Sequence, residues 1–123
     1  MPETPREQLA KLVAKGAAAH RRGAIAVAIA AFKEAIALDD AADRAHSGIA
    51  AAYFDADQNA LALRHALRAL ELNARIGQAL YFWGNVHQAQ GSGDKARDAY
   101  ERYLKIEPNG RYAGDVKLIL ETM

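Results

Sequence analysis

Residues 77–110 read GQALYFWGNVHQAQGSGDKARDAYERYLKIEPNG, and this 34-residue stretch decides the fold. Its first half, from about Gln78 to Gln90, carries Leu80, Trp83 and Val86 at helical spacing. Gly91-Ser92-Gly93-Asp94 breaks that pattern. The second half, from about Lys95 to Ile106, carries Ala96, Ala99, Tyr100, Tyr103 and Leu104, and Pro108-Asn109-Gly110 ends it. Two short helices with narrow apolar faces are not stable alone in water. The hairpin therefore needs neighbours, and the rest of the chain must supply them.

Working outward, Thr4-Pro5-Arg6-Glu7 is a helix start, with a capping hydroxyl, a proline at the first helical position and a carboxylate three residues after the cap. Helix one is predicted over Pro5 to Arg21 and helix two over Ala24 to Leu38, with Arg22-Gly23 as the turn. Helix three should run from Asp43 to Ala56 and helix four from Asn59 to Leu72, joined at Asp57-Gln58. Helix seven is predicted over Arg111 to Glu121. All three prolines (Pro2, Pro5 and Pro108) lie near element ends, so nothing between Arg6 and Glu107 carries the helix-breaking penalty of about 3 kcal/mol.

Shifting the chain against itself by 34 residues exposes a repeat. Gly16, Ala50 and Gly84 fall in register, as do Gly23, Asp57 and Gly91, then Ala28, Ala62 and Ala96, then Phe32, Ala66 and Tyr100. The terminators Asp40, Ala74 and Pro108 also align. This pattern resembles the tetratricopeptide repeat (TPR), a helix–turn–helix of the same length. The third copy carries Leu80, Trp83, Gly84, Ala96, Tyr100 and Pro108 at the family's marked positions. His87 stands where the family has Tyr, and Tyr103 where it has Ala, so Tyr103 needs room from a small neighbour on the last helix. Lys15 replaces the usual Leu in the first copy, where no earlier repeat covers the edge. The resemblance implies an all-α, right-handed superhelical solenoid of seven helices in one domain, with repeats over 9–42, 43–76 and 77–110 and a capping helix over 111–123. Gly16, Ala50 and Gly84 should admit close helix packing, and Trp83 should be the largest core residue.

Composition narrows the functional classes. Formal net charge is +1, which gives no field for nucleic acid or an anionic membrane. The absence of cysteine excludes disulfides, thiolate metal sites and cysteine nucleophiles. The start, MPETPREQLAK, lacks a signal peptide's apolar core, and the most apolar run, Ala24 to Ala31, is far too short to span a membrane. A cytoplasmic domain with no membrane insertion is expected, and the resemblance of the ending, Tyr100 to Leu120, to bacterial members of the repeat family implies a bacterial protein.

No catalytic constellation is visible, so the chain is not read as an enzyme, and neither cofactor nor metal is expected. His20, His46, His65 and His87 fall at repeat positions that face different ways, with no i, i+4 pair. Asp55 to Asn59 imitates the start of a calcium loop, but Ala60 and Ala66 stand where it needs Gly and Glu. The glycine-rich Gly91–Asp94 lacks a preceding strand and a following lysine, so it is a turn and not a phosphate loop.

The resemblance implies instead a concave groove for a protein or peptide partner. Carried over by position, the groove would be lined by Val13, Ala17, His20 and Arg21 from the first copy, by Arg44, Ser47, Ala51 and Phe54 from the second, and by Gln78, Tyr81, Asn85 and Gln88 from the third. Phe54 and Tyr81 would form aromatic walls, Asn85 and Gln88 would hydrogen-bond an extended backbone, and Arg21 and Arg44 would hold a carboxylate. Family members that clamp a chaperone's C-terminal carboxylate carry Lys and Asn where this chain has Val13 and Ala17, which argues against that ligand. A second, convex surface would use Val27, Leu61 and Leu67 for homodimerisation or docking. The expected function is a non-catalytic protein-interaction scaffold. The alternatives are a secretion-type chaperone and an adaptor in the assembly or regulation of a pilus or motility machine.

Overall fold

The seven helices of the computed structural model, which describes residues 1–123, are α1 (Pro5–Arg21), α2 (Ile25–Leu38), α3 (Asp43–Asp55), α4 (Asn59–Leu72), α5 (Gly77–Ala89), α6 (Gly93–Ile106) and α7 (Ala113–Thr122). There is no strand, and no helix is long and apolar enough to cross a membrane. At the first helix start, the Glu7 amide donates to Thr4 Oγ1 at 3.1 Å and Pro5 occupies the first turn. Two starts differ from expectation by more than one residue. Helix α6 begins at Gly93 because Ser92 is its N-cap, and the Ala96 amide already bonds the Ser92 carbonyl. Helix α7 begins at Ala113 because the Tyr112 amide donates to the Tyr103 hydroxyl at 2.8 Å and so stays outside the helix.

Both kinds of turn recur at the 34-residue period. Within each hairpin the chain passes through left-handed backbone at Gly23 (φ 81°), Asp57 (φ 60°) and Gly91 (φ 79°). The next amide in each case, from Ala24, Gln58 and Ser92, bonds a carbonyl five residues back at 2.8–2.9 Å, closing the helix end. Between hairpins, Asp39, Asn73 and Glu107 end the second helices. The side chains of Asp39 and Asn73 accept from the amides of Ala41 and Arg75, at 3.0 and 3.1 Å, and so shape turns that lack the family's proline.

The odd-numbered helices form the inner layer and the even-numbered ones the outer. Helix α3 packs on α1, α2, α4 and α5, and every residue from Ala45 to Tyr53 is buried. Alanine supplies most of the buried apolar residues, which is how helices approach closely enough to stack. The large side chains sit in glycine clefts. A Cβ on Gly16 would lie 2.7 Å from the Phe32 ring, and one on Gly84 would lie 2.6 Å from Tyr100. Gly48, on the neighbouring α3, closes on Phe32 from the other side. Tyr103 obtains its space from Gly110, where a Cβ would meet its hydroxyl at 2.5 Å, and it shares a buried cluster with Ala113 of α7.

Trp83 is not the largest core residue. It is only half-buried, and the largest fully buried side chains are Tyr100, Tyr103 and Phe32, while the adjacent Phe82 is 6% exposed. Trp83 and Phe82 are one residue, or 100°, apart on the helix, and the inward-facing one of the two is Phe82.

Candidate functional site

The inner face of the stack encloses a cavity of about 920 Å³. One wall is α1, with Leu9, Ala10, Val13 and Ala17. The floor is the first part of α3, and the far side is the start of α5 with Gln78, closed by Tyr112 beside α7. The lining repeats with the chain's own period: Asp39, Asn73 and Glu107; Asp43, Gly77 and Arg111; Arg44, Gln78 and Tyr112. Five arginines line it, namely Arg6, Arg21, Arg44, Arg75 and Arg111, and all are exposed.

Six predicted groove residues come together here: Val13, Ala17, His20, Arg21, Arg44 and Gln78. The other six do not line the cavity. Ser47 and Ala51 are fully buried on α3, and the Ser47 hydroxyl donates to Gln78 Oε1 at 2.8 Å. Phe54 packs on the Phe82 ring at 5.8 Å, which closes the groove where the inner helices end. There the His20 ring meets the edge of Phe82, and His20 Nε2 lies 2.6 Å from Asp55 Oδ2. Tyr81 stacks on Tyr112 with ring centroids 4.1 Å apart, and its hydroxyl donates to Asp115 at 3.3 Å. Asn85 and Gln88 are bound from behind, since the Tyr100 hydroxyl donates to Asn85 Oδ1 at 2.6 Å and the Gln88 side-chain amide lies 3.0 Å from the same hydroxyl oxygen. Burial raises the hydroxyl pKa of Tyr100, Tyr81 and Tyr103, so these groups remain protonated donors. The His20–Phe82 contact joins α1 to α5 across the far end of α3, and the cavity is lined along the whole of α1 but only by the first parts of α3 and α5.

Sequence reasoning passed over Arg6, Leu9, Arg75, Arg111 and Tyr112. The signal for Tyr112 and Arg111 was present: carried one period past the third repeat, Gln78 maps to Tyr112 and Gly77 to Arg111.

The histidines require a correction, because two of them do meet. His46 Nε2 donates to the Asp40 carbonyl at 2.8 Å, which leaves Nδ1 as the acceptor for His65 Nδ1 at 3.0 Å. His65 also stacks on Tyr53. Burial, reinforced by the nearby His46, Arg64 and Lys33, lowers the His65 pKa to about 4. His87 lies against Trp83 with neither ring nitrogen bonded, and burial lowers its pKa too.

Similarity to solved structures supports the architecture throughout. The first TPR domain of Spaghetti (RPAP3), solved with the HSP90 peptide SRMEEVD, superposes with a TM-score of 0.81 at 25% identity, covering 94% of this chain and 92% of that one. The Arabidopsis OM64 TPR domain gives 0.85 at 20% identity, covering 97% and 98%. MamA gives 0.74 at 30% identity over 81% of this chain, which spans 58% of MamA. The chain has the tetratricopeptide-repeat fold. No protein-family model matches the sequence, and no curated protein matches it.

Within this TPR domain, the two positions where chaperone-clamping relatives carry Lys and Asn, Val13 and Ala17, both face the cavity and leave its α1 wall apolar. The proposed convex residues differ in exposure. Val27 is 41% exposed, Leu61 is half-buried against the cluster that holds Phe32 and Ile49, and Leu67 is 46% exposed. Leu67 lines a separate hollow of about 530 Å³ with Trp83 and Lys95.

Proposed function

We propose that this TPR domain is a non-catalytic interaction module whose open half-groove takes an extended peptide or partner helix. The observation that carries the reading is a preformed cavity on the inner helices with an apolar α1 wall and a charged edge, repeated at the period of the fold. Concave sites with apolar walls and a few placed polar groups suit ligand capture, and repeat solenoids bind through such surfaces. The first TPR domain of RPAP3 was solved with an HSP90 peptide, which supports a peptide as the class of partner. A cytoplasmic scaffold or adaptor role accords with this mechanism, which is equilibrium binding without turnover.

The groove is tested at Ala10 and Ala14, both exposed residues of the cavity wall on α1. Ala10→Glu with Ala14→Glu should leave helicity unchanged, since glutamate is a good helix former. The double variant should lose a partner that co-purifies with the wild type from the native source. Full retention of that partner would move the site elsewhere.

A further inference from the structure

We propose that the groove selects an acidic segment of a partner protein, read through side-chain carboxylates by arginines at the starts of the inner helices. This rests on the groove being the binding site. Arg6 and Arg44 lie in the first turns of α1 and α3, while Arg75 and Arg111 stand two residues before α5 and α7. All four line the cavity and are exposed, and the chain's three ion pairs, Lys11–Glu3, His20–Asp55 and Arg102–Asp98, involve none of them. A cation at a helix start opposes the helix dipole, so four such placements disfavour the fold electrostatically and call for an anion.

The acids of the same edge are occupied by the chain itself. Asp39 Oδ1 accepts from the Ala41 amide. Asp43 accepts from the Arg44 amide and from Asn73 Nδ2, and the Glu107 carboxylate is folded against Gly77 and Gly110. The lining carries five arginines against these three acids, so the edge is net positive, and the wall beside it is apolar. That combination fits a peptide with carboxylates on one side and small apolar side chains on the other. It does not fit a nucleic acid, because Tyr112 is the only aromatic ring at the edge and already stacks on Tyr81. Packed helices lie about 8–10 Å apart, and a polyproline-II chain turns once every three residues with a rise of about 3.1 Å each, so an acid at every third position stays on one side and meets successive arginines. Recognition by side-chain carboxylates requires no free C-terminus.

The test uses the whole chain and a fluorescently labelled, C-terminally amidated peptide repeating Glu-Ala-Val over about twelve residues. It should bind at least about tenfold tighter than its Gln-Ala-Val counterpart, and Arg44→Ala with Arg75→Ala should remove at least about that factor. Arg97→Ala with Arg102→Ala, on α6, should change nothing. Absent binding, equal binding of the glutamine peptide, or tighter binding of poly-uridylate would each overturn the proposal. If the glutamate peptide fails while the Ala10→Glu, Ala14→Glu variant still loses the native partner, the groove stands and the acidic specificity falls.

Discussion

Phe32 sits between Gly16 of its own hairpin and Gly48 of the next, so one ring couples two repeats. Adding a methyl at either glycine forces the ring to move, and overpacking of this kind costs about 1–3 kcal/mol. Gly48→Ala should therefore lower the urea midpoint, while Gly114→Ala, with nothing within 4 Å of its Cβ, should raise stability by roughly 0.5–1 kcal/mol. Phe32→Ala should cost about 3–5 kcal/mol, and the half-buried Trp83→Ala should cost clearly less. The same scale holds the pH dependence. The folded pKa values of His65 and His87 lie below the unfolded value near 6.5, so the unfolded chain binds more protons in acid. Stability should be complete above about pH 6.5 and fall progressively toward pH 4. Urea melts from pH 7.5 to 5 should show this slope, and His65→Gln should flatten it.

Helix α7 does more than cover the last hairpin. It fixes Tyr112 against Tyr81 and so supplies the far wall of the groove. Tyr112→Ala should cost about 2 kcal/mol through lost aromatic packing and should speed amide exchange in α6 and α7 more than in α1 and α2. Helix limits were legible in the sequence almost throughout, because turn residues recur at Gly23, Asp57 and Gly91 and apolar periodicity is strong between them. The site was half legible. Repeat position identifies which residues face inward, and Val13, Ala17 and Gln78 follow from it. Repeat position does not specify how tightly the superhelix winds. That winding buries Ser47 and Ala51 and brings His20 to Phe82 across α3, and it depends on contacts between helices more than one repeat apart. The His46–His65 contact was missed for a related reason: it joins two helices of one hairpin through side-chain directions that spacing alone does not specify.

At the scale of the molecule, a net charge of +1 conceals an uneven distribution. Free arginines gather along the edge where the inner helices begin, and the opposite end of the groove is sealed by Phe54, Phe82 and the His20–Asp55 pair. Ligand affinity should consequently fall as salt rises, since the edge is solvent-exposed and screened over about 10 Å at 0.1 M. The central claim is that the concave face, and not the hollow around Leu67 and Trp83, receives the partner. Amide chemical-shift mapping with the bound Glu-Ala-Val peptide tests it most directly. The account predicts the largest shifts at Ala10, Val13, Ala17, Arg44 and Gln78; shifts concentrated at Leu67, Trp83, Lys95 and Arg102 would contradict it.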